Sequence, residues 1–203
     1  MKLYYSPGAC SLAVHIALRE AGLPADLVKV DLATHRLADG ADYLAINPRG
    51  YVPLLELDDG SRHTEVAALL QYVAELAPQS GLLPGSRTDR FEALKWTAFV
   101  ASELHKVFSP WLWHKETDDA TRKACKDKIA LRFAELDVLL ATRDYLTGPA
   151  FTIADAYGFA IVSWAPMLGM SLKAYPNLQA WLDRIALRPA VHAALLAEGL
   201  AKA

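Results

Sequence analysis

A cysteine near the N-terminus occupies the position in this sequence that most favours a reactive side chain. Cys10 follows a short apolar run, Lys2–Tyr5, that predicts a β-strand, and it precedes Leu12–Ala21, which predicts an α-helix. Pro7 and Gly8 break the chain between these elements, so Cys10 falls at the start of the helix. The unpaired N–H groups of a first helical turn stabilise a thiolate. A small buried cysteine that packs as a hydrophobe is the alternative, and position alone does not separate the two.

The composition narrows the class of protein. The chain has 203 residues, of which 53% are hydrophobic and 22% charged, with a formal net charge of −2. This length allows one large domain or two small ones. There is no dense Lys/Arg cluster, so no nucleic-acid footprint is visible. The two cysteines, Cys10 and Cys125, lack the spacing of a disulfide framework or a metal site, which predicts free thiols in a reducing compartment and no bound metal.

The apolar segments predict a soluble, cytoplasmic protein rather than a membrane protein. The N-terminus has one early lysine followed by polar and chain-breaking residues, which is not the pattern of a signal peptide. The most apolar run, Ala156–Met170, is interrupted by Pro166 and Gly169 and is shorter than the roughly 20 residues that cross a bilayer. We therefore expect this run to form a buried helix.

The first third of the chain predicts an α/β domain of the order βαβ-ββα. A second strand is expected at Leu27–Leu32, and a third at Tyr51–Leu57. An Asp-Asp-Gly turn then leads to an antiparallel strand at Ser61–His63, and Thr64 can cap a helix over Glu65–Leu76. Thioredoxin-type and glutaredoxin-type domains have this order, with a cysteine at the start of the first helix.

Pro53 lies inside an apparent strand and suggests a cis peptide bond after Val52. A cis X-Pro bond leaves the preceding backbone polar groups open to a ligand. An ordinary edge-strand proline is the alternative. The surrounding order of elements favours the cis bond.

The rest of the chain predicts a separate helical domain. We expect the first domain at 1–77, a Pro/Gly-rich linker at 78–87 and an all-helical domain at 88–203. Long helices are predicted over 88–114 and 119–140, and a third begins at a capping box at 152–155, before two shorter helices. The first long helix has one predicted apolar face, formed by Phe91, Leu94, Ala98, Ala101, His105 and Phe108.

His105, on that face, has two interpretations. A lone histidine on an apolar stripe is commonly a satisfied core or interface residue. Alternatively, this face meets the first domain and brings His105 and Lys106 near Cys10, where both groups would lower the pKa of the thiol.

Five motifs in this order together resemble the bacterial beta-class glutathione transferases over essentially the whole chain. They are Ser6-Pro7-Gly8-Ala9-Cys10-Ser11, Asn47-Pro48-Arg49-Gly50-Tyr51-Val52-Pro53, Thr64-Glu65, Glu103-Leu104-His105-Lys106 and Phe151-Thr152-Ile153-Ala154-Asp155. The resemblance implies the glutathione transferase fold, a thioredoxin-like domain followed by an all-α domain. It also implies a homodimer that uses glutathione as co-substrate, with no bound cofactor.

The resemblance assigns roles residue by residue. Backbone groups of Val52 would pair with the cysteinyl part of glutathione, and Glu65 would accept the γ-glutamyl ammonium, while the N–H groups of the helix that follows take its carboxylate. The implied glutathione contacts are Cys10, His35, Val52, Pro53, Glu65, Val66, Ser102, His105 and Lys106. The implied catalytic residues are Cys10, His105 and Tyr5. The implied second-substrate pocket contains Tyr5, Phe108, Trp111 and Trp164, although aromatic residues at helical spacing also form cores.

Three positions depart from the family pattern. Val66 replaces the usual Gly or Ser after the key glutamate, His35 stands where lysine is frequent, and Ala98 replaces an asparagine. A hydrogen bond to a charged group is typically worth about 1.5–3 kcal/mol, so these differences predict weakened glutathione binding.

The predicted activity is attack of a glutathione thiolate on an apolar electrophile. One alternative is a glutathione-dependent thiol–disulfide oxidoreductase or peroxidase that uses Cys10. Because position 13 is Ala, Cys10 has no C-x-x-C partner, and glutathione would be the resolving thiol. A non-catalytic binding protein on the same fold is the other alternative.

Overall fold

The computed structural model describes residues 1–202 and divides the chain into two compact units. The first unit contains Met1–Leu83 together with the C-terminal stretch that begins at Arg188, and the second contains Pro84–Leu187. The grouping differs from the predicted helical domain at 88–203, because the last helix packs against the first helix of the chain. Sequence alone did not indicate that contact.

The first unit is built on a five-stranded mixed sheet. Its strands are β1 (Lys2–Tyr5), β2 (Asp26–Asp31), β3 (Arg36–Leu37), β4 (Leu54–Glu56) and β5 (Arg62–His63). The strand order is β3-β2-β1-β4-β5, with β1 parallel to β2 and antiparallel to β4. This arrangement confirms the predicted thioredoxin-like order, to which the structure adds the short strand β3.

Eight α-helical segments complete the fold in the described residues. They are α1 (Ser11–Glu20), α2 (Val66–Leu76), α3 (Arg87–Phe99), α4 (Lys106–Phe108), α5 (Asp119–Leu140), α6 (Ile153–Val162), α7 (Pro176–Ala186) and α8 (Pro189–Ala197). Helix α1 packs against α2 and α8 within the first unit, and α3 packs against α6 within the second. No helix within residues 1–202 is both long enough and apolar enough to span a bilayer.

The two helix starts that carry predicted site residues differ in their capping. Cys10 is the N-cap of α1, as predicted. Glu65, not Thr64, is the N-cap of α2, and its side chain makes no capping hydrogen bond. The predicted Thr64 cap is therefore wrong, because the chain enters the helix one residue later.

The predicted long helix over 88–114 is interrupted and ends early. A π-helical turn at Val100–His105 follows α3, and the short segment α4 ends at Phe108. Pro110 has no N–H group with which to continue the helical hydrogen bonds, so the segment beyond it forms turns.

The apolar face predicted for α3 is not the face that is buried within the second unit. Phe91 is 64% exposed, and Ala98 is exposed as well. The buried side of this region lies on a neighbouring stripe with similar spacing, formed by Ala93, Trp96, Thr97, Val100 and Leu104. Both stripes are largely apolar, and packing against α6 selects the second.

Helix α6 is the buried centre of the second unit, as predicted. All ten of its residues are buried, and it starts with the expected capping box of Thr152 and Asp155. The Asp155 carboxylate accepts hydrogen bonds from the backbone and hydroxyl of Thr152, from Leu146 N–H and from the Trp181 indole. Burial raises the pKa of Asp155 to about 6, although these donors oppose the shift.

Candidate active site

The Cys10 thiol lies against the strand entry that contains Pro53. Its Sγ donates to the carbonyl oxygen of Val52 at 3.2 Å. The Val52-Pro53 peptide bond is cis, which confirms the prediction. Neither Cys10 nor Cys125 forms a disulfide. Cys10 and Val52, which are far apart in the sequence, therefore meet at one point of the first unit.

A buried carboxylate from the C-terminal segment holds the loop before Cys10. Gly8 N–H donates to Glu198 Oε2 at 2.9 Å, and Nδ1 of His15 lies 2.8 Å from Glu198 Oε1. Arg19 Nε donates to His15 Nε2 at 2.9 Å, so the His15 hydrogen is on Nδ1 and points to the carboxylate. The Glu198 side chain is 0% exposed. The network ties the Cys10 loop, α1 and the C-terminal segment together.

The sequence did not predict that Glu198 and His15 support the loop before Cys10. The available signal was a single acidic residue, followed by Gly199, within an otherwise apolar C-terminal stretch. That signal does not identify a partner, because Glu198 is 190 residues from Gly8.

Tyr5 lies at the end of β1 and is buried. Its ring centroid is 6.3 Å from that of His15. Burial raises the pKa of Tyr5, and the nearby Glu198 charge raises it further. The Tyr5 hydroxyl is consequently protonated at neutral pH.

The start of α2 presents an exposed carboxylate beside helical N–H groups. Glu65 has backbone angles φ 74° and ψ 105°, a strained conformation for a residue with a side chain. Its side chain is 74% exposed and lies 3.5 Å from the Arg49 guanidinium, a weak surface pair. The carbonyl oxygen of Glu65 accepts hydrogen bonds from the N–H groups of Ala68 and Leu69. The N–H groups that precede Ala68 in this first turn are therefore open to a ligand.

His35 packs against Gly50 in a conformation that constrains both residues. His35 has a positive φ of 53°, and its buried Nδ1 makes no hydrogen bond within residues 1–202. A Cβ added to Gly50, which has φ +67°, would meet the His35 ring at 2.5 Å. Glycine is therefore required at position 50.

His105 is a neutral hydrogen-bonding group in the second unit. Its Nδ1 lies 2.6 Å from the hydroxyl of Tyr157, and its ring meets that of Trp164 edge-on at 5.3 Å. Burial, with a smaller contribution from the Lys106 charge, lowers the pKa of His105 to about 4. Sequence reasoning also missed Tyr157, whose hydroxyl shares this hydrogen bond with His105 Nδ1.

Ser102 and Lys106 are not grouped with His105 on one side of their helix. They line a cavity together with Thr121 and Cys125 of α5, whereas His105 contacts Tyr157 of α6. The Ser102 hydroxyl donates to the carbonyl of Ala98 at 3.0 Å. The Ser102 side chain therefore borders this cavity, while the His105 ring is hydrogen-bonded to Tyr157.

The aromatic residues predicted for a second-substrate pocket have different environments. Phe108 is 0% exposed and packs against Phe133 and Trp164, so it belongs to the core, which corrects its predicted role. Trp164 is also buried, between His105, Phe108 and Trp113. Trp111 is 49% exposed.

The fold and the cysteine-bearing, cis-proline site define the class of this protein: the chain belongs to the glutathione S-transferase family. The family's N-terminal domain matches residues 8–76, and its C-terminal domain matches residues 99–189. The chain is 42% identical over 201 residues to the glutathione S-transferase GstA of Escherichia coli O157:H7, covering 98% of this chain and 100% of GstA.

Solved structures confirm the resemblance to the bacterial beta class. A sphingomonad glutathione S-transferase in complex with glutathione matches with a TM-score of 0.92 and 48% identity, covering 99% of this chain and 100% of the other. A beta-class glutathione S-transferase of Sphingomonas chungbukensis matches with a TM-score of 0.93 and 44% identity, again covering 99% and 100%.

Proposed function

We propose that this protein catalyses the attack of the glutathione thiolate on apolar electrophiles. The observation that carries the proposal is the meeting, within the first unit, of the Cys10 thiol with the backbone that precedes cis-Pro53. Family membership supports it, since the relatives of highest similarity described above are glutathione S-transferases. Holding the thiol and the electrophile in one site makes their reaction effectively unimolecular.

Glutathione would bind the first unit through complementary charges and backbone groups. Glu65 accepts the γ-glutamyl ammonium, and the first N–H groups of α2 take the α-carboxylate. Val52 pairs its backbone with the cysteinyl residue, and the sulfur lies beside Cys10. His35 faces the glycine carboxylate. The exposed Glu65 side chain and the shape of the α2 terminus support these roles.

His105 would act on glutathione as a neutral hydrogen-bond donor. With Nδ1 accepting from Tyr157, the N–H group available to a ligand is on Nε2. Because burial lowers its pKa to about 4, the imidazole contributes no positive charge at neutral pH. The electrostatic stabilisation of a thiolate would then depend on the start of helix α1 rather than on an imidazolium.

The protein would operate as a homodimer in the cytoplasm. Tyr51, Phe91, Leu131 and Val138 are each more than 60% exposed in the single chain, which supports burial against a second subunit. Two cysteines outside any disulfide support a reducing compartment.

Thiol–disulfide exchange at Cys10 is a second candidate, favoured by its position as the N-cap of α1. The Cys10 thiolate would attack the glutathionyl sulfur of a mixed disulfide and release the other thiol. A glutathione thiolate would then attack the Cys10–glutathione bond, forming glutathione disulfide and restoring Cys10. The net reaction converts one mixed disulfide and one glutathione into a free thiol and glutathione disulfide.

Two measurements test the proposal. Calorimetric titration with glutathione should give saturable heat, and conjugation to a chlorodinitroarene should be measured beside disulfide reduction in the native and Cys10→Ala proteins. Conjugation that survives Cys10→Ala while disulfide reduction disappears would assign Cys10 to redox chemistry. No heat at millimolar glutathione, without protection against unfolding, would leave a binding protein that does not use glutathione.

A further inference from the structure

The loop of residues 109–117, between α4 and α5, is held by one arginine of α5. Arg122 Nε donates to the carbonyl oxygen of Thr117 at 3.0 Å, and its Nη1 donates to that of Leu112 at 3.1 Å. Its Nη2 donates to the carbonyl oxygen of His114. Hydrogen bonds from a charged donor are stronger than those between neutral groups. Three of them, spread along the loop, restrict the path of its backbone.

The same side of α5 holds a second segment of the helical unit. Lys126 Nζ donates to the carbonyl oxygen of Leu168 at 2.8 Å. Leu168 ends the 3₁₀ turn Pro166–Leu168, which follows shortly after Trp164. Residues four apart lie on one side of a helix, so Lys126 and Arg122 together fix the loop before α5 and the segment after α6.

Trp113, in the loop that Arg122 holds, extends an aromatic cluster that includes His105. Its ring packs edge-on against Trp164, with centroids 5.6 Å apart, and Trp164 packs edge-on against His105 at 5.3 Å. Trp164 is 5% exposed, whereas Trp113 is 44% exposed. The Trp113 indole therefore continues this buried contact to a surface that an apolar molecule can reach.

We propose that Arg122 is a positioning residue for the second substrate, because it fixes the loop so that Trp113 forms one wall of the electrophile site. The inference rests on the proposed function, in which His105 donates to glutathione. Reacting atoms must lie about 3–3.5 Å apart, so an apolar electrophile gains burial and stacking on an aromatic surface near His105. Without the guanidinium, part of the binding free energy is lost in ordering the loop.

Hydrogen exchange tests whether Arg122 holds the loop. The N–H groups of residues 112–114 are hydrogen-bonded within this segment, so their exchange measures its opening. We expect Arg122→Met to accelerate this exchange at least tenfold, while α6 exchanges at its native rate. Lys123→Met is the matched control, because this neighbouring lysine pairs with Asp127. A native exchange rate in Arg122→Met would overturn the proposal.

Binding of an unreactive arene tests whether Arg122 acts through Trp113. The probe is meta-dinitrobenzene, a neutral arene without a leaving group, and equilibrium dialysis measures its dissociation constant. We expect Arg122→Met and Trp113→Leu each to weaken binding at least fivefold, and the double variant to bind as the single variants do. Arg122→Lys, which retains a charged donor, should recover part of the affinity. Native affinity in Arg122→Met, or additive losses in the double variant, would contradict the proposed role.

Calorimetric titration with glutathione separates this proposal from the proposed function. Arg122→Met should bind glutathione with native affinity, and equal weakening of both ligands would show a general loss of structure instead of positioning. A native protein that gives no heat with glutathione would overturn the proposed function, whereas the arene comparison would still decide whether Arg122 acts through Trp113.

Discussion

Cys10 receives its position from residues that are remote in the sequence. The Val52 carbonyl accepts from its thiol, and Glu198 holds Gly8 two residues before it. Gly8 has φ +70°, and the side chain of Leu200 packs at 3.5 Å from where its Cβ would be. The loop is therefore held both by hydrogen bonds and by packing, which restricts the directions in which the thiol can point.

The buried imidazole of His105 makes stability depend on pH. Its pKa is lowered to about 4, so the stability it contributes is present above the ordinary value near 6.5 and is lost as the pH falls from there toward 4. The raised pKa of Asp155 acts with the opposite sign: its contribution is present at low pH and is lost as the pH rises through about 6. Because a variant at position 105 retains Asp155, the Asp155 contribution cancels in a comparison.

We predict that the stability advantage of the native protein over His105→Gln shrinks by about 2 kcal/mol between pH 7 and pH 5. Urea unfolding of both proteins across this range measures the difference. His63→Gln, the same change at an exposed histidine, is the control. Parallel curves for His105→Gln would show that His105 titrates normally in the folded state.

Val66 is the departure from the family pattern that is simplest to reverse. It is the first residue of α2, next to Glu65, and its side chain cannot donate a hydrogen bond. We predict that Val66→Ser tightens glutathione binding about tenfold, since the hydroxyl can bond to the glutamyl carboxylate. Calorimetric titration of Val66→Ser and Val66→Ala separates the hydroxyl from the loss of the isopropyl group. Equal affinities for the two variants would contradict this role.

Helix α8 and the residues after it stabilise the start of α1. Glu198 is the C-cap of α8 and accepts from Gly8 N–H and His15. Replacing it by Ala leaves two donors without their acceptor, each at a cost of about 1–3 kcal/mol.

We predict that Glu198→Ala lowers the unfolding free energy by about 3 kcal/mol and changes the alkylation rate of Cys10. Urea unfolding measures the first effect, and mass spectrometry measures the second, with Cys125 as the internal reference. Lys202→Ala, an exposed change in the same segment, serves as the control. A Glu198→Ala protein with native stability and native Cys10 reactivity would show that the network does not hold the loop.

Element boundaries were predictable where local chemistry sets them. The Pro-Gly break before α1, the Asp-Asp-Gly turn before β5 and the capping box of α6 each act over a few residues. The π-helical turn before α4 was not predictable, because nothing in Val100–His105 distinguishes it from an ordinary α-helix.

The strongest support for a dimer is an apolar stripe of α3 that stays exposed in the single chain. Phe91 is 64% exposed, and Ala98 on the same stripe is exposed as well.

We predict that Phe91→Asp converts a dimer, with twice the 22.2 kDa chain mass, to monomers. Sedimentation velocity measures the mass. Leu187→Asp, at a residue 82% exposed after α7, is the matched control. A Phe91→Asp protein with an unchanged mass would exclude this stripe from the interface.

The order βαβ-ββα and the placement of Cys10 at a helix start could be predicted from periodicity, chain breakers and capping residues, whose effects extend over a few residues. The cis bond before Pro53 could be predicted only from the order of the elements around it, because the Val-Pro pair alone also fits an ordinary edge-strand proline. Three features could not be predicted from the sequence: which apolar stripe of α3 is buried, that α8 joins the first unit, and that Glu198 and Tyr157 contact the Cys10 loop and His105, respectively. These outcomes depend on contacts between distant segments and on the burial they produce. Burial makes His105 neutral, and no local pattern contains that information.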